Sequence, residues 1–128
     1  MIIDKLLKLN ADQVFEGTGN VDTTDLIDFG VANADVGRPD TQNFMEFDIG
    51  TGNSAGGTSA IFQVVDCATV GGTYVARSQS AVYLLAAILN GTRIRVPLPE
   101  GLARYVKGRV VMTGTFTAGA TFNAAIVD

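Results

Sequence analysis

Few side chains in this sequence are equipped for chemistry, and their spacing argues against catalysis. There is no His and no Trp, and a single Cys stands among thirteen acidic and nine basic residues. Without His, the commonest general base near neutral pH is missing. Ser-His and Cys-His nucleophilic pairs are excluded. Zinc sites built from His and Cys cannot form within one chain carrying one thiol. Cys67 cannot close an internal disulfide and reads as a small buried hydrophobe. Asp22, Asp25 and Asp28 could gather round a hard cation such as Ca²⁺. Acids at that spacing on a strand do not all face one way, so a solvated acidic edge is the simpler reading. The glycines of residues 50–57 invite a phosphate-loop reading, but their spacing is wrong for a dinucleotide fingerprint and no Lys-Ser or Lys-Thr follows. The expectation is a protein that is not an enzyme and uses no cofactor or metal.

The basic residues say more. Arg93, Arg95, Lys107 and Arg109 all fall on the outward parity of two consecutive strands. If residues 97–101 form a simple hairpin, positions summing to about 200 face one another, which sets Arg93 near Lys107. Like charges across a strand pair repel unless something anionic lies between them. Either acids from another segment of the chain cross this face, or an acidic patch on a partner docks there.

The elements that carry these residues are read from a two-residue period. The even positions Ile94, Val96 and Leu98, then Val106, Gly108, Val110, Met112 and Phe116, then Phe122, Ala124 and Ile126 are apolar or small. Arg93, Arg95, Lys107, Arg109, Thr113, Thr115, Thr121 and Asn123 lie between them. Such alternation marks half-buried strands and does not fit a helix. Breaks at residues 97–101 and 117–120 divide the last third into three strands. Upstream, residues 10–20 are turn-rich. Val21, Thr23, Ile27 and Phe29 suggest a strand that Asp25 interrupts. Residues 34–40 read as a turn. Met45, Phe47 and Ile49 mark a further strand, as do residues 60–65, while residues 67–73 connect and residues 74–76 form a brief strand. Residues 81–89 are apolar on both parities, as in a strand covered on both sides or a short buried helix. Asn90-Gly91 favours the strand, being a tight-hairpin dipeptide. The sum is an all-β, jelly-roll-like antiparallel β-sandwich of about seven to nine strands in one domain, 1–128.

Composition bounds the partners. Charged residues are only 17% of the chain, against about 25% in an average soluble domain. That deficit points to outer surface buried by self-association or a larger assembly. A net charge of −4 disfavours nucleic acid. No signal peptide is expected, and the longest apolar run is too short to span a bilayer, so a soluble, cytoplasmically made protein without a membrane partner is expected. Residues 1–9 hold five large aliphatics, too many for a free tail. This N-terminal arm packs on its own domain or docks on a neighbouring subunit, with Ile2, Ile3, Leu6 and Leu7 as the contacts.

Met1-Ile2-Ile3-Asp4-Lys5 followed by an apolar pair resembles the start of tailed-bacteriophage capsid cement (decoration) proteins of the jelly-roll type. Gly91-Thr92-Arg93-Ile94-Arg95-Val96-Pro97-Leu98-Pro99, Ala103-Arg104-Tyr105-Val106, Thr113-Gly114-Thr115 and Thr117-Ala118-Gly119 resemble the end of that family. The resemblance implies a self-associating sandwich (a dimer or trimer) on the capsid exterior of the virion, present in the host cytoplasm during assembly. There it would bind major capsid protein and clamp neighbouring subunits against internal DNA pressure. Another class, a carbohydrate- or ligand-binding jelly roll used in host attachment, shares the fold. It is poorly supplied with aromatic platforms, since Trp is absent and Tyr74, Tyr83 and Tyr105 are the only tyrosines.

Overall fold

A computed structural model describes residues 8–30, 43–52 and 56–127. Among these residues lie eight strands: β1 (Gln13–Asp22), β2 (Ile27–Asp28), β3 (Phe44–Thr51), β4 (Ser59–Cys67), β5 (Val75–Gln79), β6 (Tyr83–Leu84), β7 (Arg93–Pro97) and β8 (Tyr105–Val127). One 3₁₀ turn, Leu85–Ala87, follows β6. The all-β class is as expected. Every strand belongs to one antiparallel sheet with the path β5-β4-β8-β3-β7, to which β1 and β2 add on β8 and β6 adds on β4.

The 23-residue β8 organises the sheet. Along one edge it pairs with β1 and then β2, from Phe122 opposite Gln13 to Tyr105 opposite Asp28. Along the other, its first half pairs with β4 and its second half with β3. The halves meet at Gly114, whose φ of +79° belongs to glycine. A Cβ there would come within 2.9 Å of the Thr58 nitrogen, so both conformation and space demand its absence. At this bend the sheet turns over on itself. Phe47 of β3 and Phe62 of β4 are not ladder neighbours, yet their rings lie 5.2 Å apart. That closure makes a jelly-roll-like sandwich close to a barrel. Ser78 Oγ donates to the Pro97 carbonyl at 2.7 Å and draws the two ends of the path together.

The core follows the period-two pattern. Ile94, Val96, Leu98, Val106, Val110, Met112, Phe116, Phe122, Ala124 and Ile126 are all buried. Phe122 lies centrally, 5.6 Å from Phe15 edge-on and 6.2 Å from Phe47. Such clusters bury large apolar area and add favourable ring geometry.

Several expectations are corrected. Residues 117–120 are not a turn: β8 runs through them, because β1 and β3 ladder on either side, with Phe15 opposite Ala120 and Thr51 opposite Thr121. Residues 13–20 are not a turn but most of β1; Gly17 and Gly19 take φ of +86° and +92° at two register shifts, where β8 runs four residues against two of β1. The strand expected at Val21–Phe29 is split between the end of β1 and β2. The brief strand expected at residues 74–76 is Val75–Gln79. Residues 81–89 are neither a covered strand nor a buried helix: β6 and the 3₁₀ turn leave Val82, Leu84 and Leu89 exposed, and Ile88 alone among them is fully buried. Cys67 is half-buried, with its sulfur 3.8 Å from the Thr69 hydroxyl. The turn expected at residues 34–40 lies outside the described residues.

Candidate partner-binding surfaces

The predicted hairpin between β7 and β8 does not form. β7 pairs with β3, and β3 in turn pairs with the far half of β8. Loop residues Leu98 and Leu102 plunge into the core between them. Arg93 therefore faces Asp48, Arg95 faces Glu46, Lys107 faces Val65 and Arg109 faces Gln63. The four cations are not one patch but two pairs, on β7 and on the near half of β8.

Two of the four are consumed internally. Arg109 Nε donates to Asp22 Oδ1 at 2.6 Å and is itself largely buried. Arg95 Nε donates to the buried Glu46 at 2.9 Å, and its guanidinium lies over the Phe44 ring. Acids of other segments thus cross this face, the intramolecular alternative. Lys107 Nζ sits 4.6 Å from the centroid of Tyr74. Burial, first, and nearby Cys67, Tyr105 and Asp22 push the Tyr74 phenol above its ordinary 10.0. Ile2, Ile3, Leu6 and Leu7 lie outside the described residues.

The acidic triplet is dispersed. Asp22 belongs to Arg109. Asp28 accepts two hydrogen bonds from Arg104, at 2.7 and 3.0 Å, and one from the Gly30 amide. Those donors hold its carboxyl below the usual 3.8. Asp22 and Asp28 are thus taken up by different arginines. Among the described residues no cluster of three candidate ligands exists.

Arg93 stands apart. It opens onto a groove of about 360 Å³ together with Lys8, Asp12, Asp48 and Asn123. The groove forms where the arm joins the sheet. Leu9 donates to the Ala124 carbonyl, and the Ala124 amide donates back to Asn10 Oδ1 at 2.6 Å. The Asp12 amide donates to Asn123 Oδ1, and Asn123 Nδ2 donates to Asp12 Oδ1. This reciprocal pair holds Asp12 at φ +45°, an uncommon conformation for a non-glycine residue. Neither Lys8 nor Arg93 has a carboxylate within ion-pair distance among the described residues. The sequence reading missed this groove, because Asp48, Asn123 and Asp12 are adjacent only through cross-strand pairing. It also missed the exposed ridge of Val82, Leu84 and Leu89, since an apolar run looks the same whether covered or bare.

The frame is that of an all-β module with its polar side chains spread over a groove and strand faces. The sequence model of the Bbp16 family matches residues 11–126, nearly the whole chain. The chain belongs to the Bbp16 family, a phage-type protein. No curated protein matches it.

Proposed function

We propose that this chain is a capsid cement protein: it binds the outside of an assembled phage capsid and clamps neighbouring major capsid protein subunits against the pressure of packaged DNA. The observation that carries the proposal is membership of a phage-type family over residues 11–126, joined to the terminal motifs that resemble cement proteins. The role needs no catalysis, cofactor or metal. A net charge of −4 suits a protein outside the shell, away from the genome.

The mechanism is mechanical. Each copy buries surface across more than one capsid subunit, and linked modest contacts multiply in effect. Binding only the closed arrangement stabilises it by mass action. Of the four cations proposed for capsid contact, Arg93 is the leading one, because Arg95 and Arg109 are neutralised within the chain and Lys107 is engaged by Tyr74. Arg93 and Lys8 share their groove with Asp12, Glu46 and Asp48, and they offer a capsid segment two cations set among acids. The aliphatic side chains Ile2, Ile3, Leu6 and Leu7 supply apolar surface for a neighbouring subunit.

Co-sedimentation with assembled shells tests this. Wild type is expected to pellet with shells, to leave unassembled capsid subunits in the supernatant, and to raise the temperature at which shells rupture. Arg93→Glu with Lys8→Glu should weaken shell binding by roughly tenfold or more while leaving the fold intact. Wild-type protein that ignores shells, or shells that rupture alike with and without it, would end the proposal. Lys107→Glu with Arg109→Glu is a poorer probe, because Arg109 also holds Asp22 inside the sheet.

A further inference from the structure

The groove beside the arm carries its charges in a definite order. Four backbone segments lie side by side beneath it: the arm at Lys8, then β8, β3 and β7. One row across them reads Lys8, Ala125, Glu46, Arg95, and the next reads Asn123, Asp48, Arg93. Lys8 therefore stands at one rim and Arg93 at the other. Their segments are three strand spacings apart, about 14 Å. The acids Glu46 and Asp48 lie on the floor between them. Ala125 offers only a methyl group there, which leaves the floor open.

The floor acids are short of donors. Glu46 is 6% exposed, and its Oε2 accepts from Arg95. No donor to its Oε1 is found among the described residues, and none to either carboxylate oxygen of Asp48. A buried carboxylate oxygen without a hydrogen bond is costly, so a donor brought by a ligand gains more there than on open surface. The rims are short of acceptors, since Lys8 and Arg93 have no carboxylate within ion-pair distance among the described residues.

Those two deficits select the ligand. A wholly acidic one would suit the rims and set like charge over Glu46 and Asp48, and a wholly basic one would do the reverse. No aromatic side chain lines the groove among the described residues, so it lacks a platform on which a sugar ring could stack. In an extended polypeptide, alternate side chains point the same way about 7 Å apart. A basic residue with acids two positions before and after it would thus place its cation over the floor and its acids toward the rims.

We propose that this groove binds an extended polypeptide segment of mixed charge, with a Lys or Arg seated on Glu46 and Asp48 and flanking acids reaching Lys8 and Arg93. That the segment belongs to the shell rests on the cement reading; the preference for mixed charge does not.

Two measurements test it. In the first, amide resonances of the labelled protein are followed as a capped synthetic peptide, Asp-Thr-Arg-Thr-Asp, is added. Two analogues serve as controls, one with Arg changed to Asp and one with both Asp changed to Arg. The mixed peptide should shift the amides of Asp48, Arg93 and Asn123 and bind roughly tenfold more tightly than either analogue. Asp48→Lys and Arg93→Glu should each weaken it by a similar factor. Asp48→Asn, which keeps the side chain's shape, serves if the Lys variant folds poorly by circular dichroism. In the second, Asp48→Lys should lose binding to assembled shells in co-sedimentation. A purely acidic partner would instead be held more tightly by Asp48→Lys. That result, an unchanged affinity, an all-acidic peptide that binds best, or no peptide shift at the groove would each overturn the proposal and leave the cement reading in place. A groove that takes the mixed peptide in a protein that ignores shells would sink the cement reading and leave this site standing.

Discussion

Asp66 shows how a single buried acid can hold three segments of this fold. It is 4% exposed, and one carboxylate oxygen accepts from Arg77 Nη1 at 3.1 Å and from the Ala103 amide at 2.8 Å. β4, β5 and the loop before β8 converge on it. Asp66→Ala leaves a backbone donor and a guanidinium without their partner, and a loss of about 2–4 kcal/mol is expected. A urea titration should show a lower midpoint with an unchanged slope. Asp28 behaves differently. Its carboxyl is depressed mainly by the Arg104 hydrogen bonds. A depressed carboxylate stabilises the fold above its unfolded pKa, and that contribution is lost as pH falls through the folded value. The loss therefore belongs below about pH 4. Melting temperatures of wild type and Asp28→Asn should differ at pH 6 and converge as pH falls below 4. Because the pair is well exposed, the difference should be small.

At the scale of elements, β8 carries the argument. Even positions are buried before the bend at Gly114, from Val106 to Met112, and again beyond it at Phe116 and from Ala120 to Ile126, so one strand serves both layers. Gly114→Val adds a β-branched side chain at a left-handed φ and pushes it against the Thr58 amide. A cost of about 2–4 kcal/mol is expected from strain and overpacking together. Phe122→Ala opens a void between Phe15 and Phe47 and should cost about 3–5 kcal/mol. Thermal or chemical denaturation of the purified variants reads both. The period that identified these strands came from residue types alone. The turn expected at residues 117–120 failed because small residues and glycine serve a bulge within a strand as readily as a reversal between strands.

For the whole molecule, the topology makes the last strand the hub. β1, β2, β3 and β4 all hydrogen-bond to β8, and most contacts join distant parts of the chain. Such folds close costly loops before they gain contacts, so folding in roughly milliseconds to seconds is expected by stopped-flow mixing. A chain ending at Thr113 would lose one of the two partner strands of β3 and half of the strand beside β1. It should show neither cooperative unfolding nor dispersed amide resonances.

Sequence by itself determined the all-β class, the inward parity of β3, β7 and β8 and the poverty of catalytic groups. Residue types set those properties directly: alternation fixes which side of a strand is apolar. Only tertiary structure decided which strand lies beside which. Backbone ladders are made by amides and carbonyls common to every residue, so β3 could take the place beside β7 that the short connection had suggested for β8. That one substitution of neighbours separated Arg93 from Lys107 and set Arg95 on Glu46. It also set Asp48 beside both Arg93 and Asn123. The exposure of Val82, Leu84 and Leu89 was likewise decided by tertiary structure, because hydrophobicity records a preference for burial without recording whether the chain's own fold or a second molecule supplies the cover.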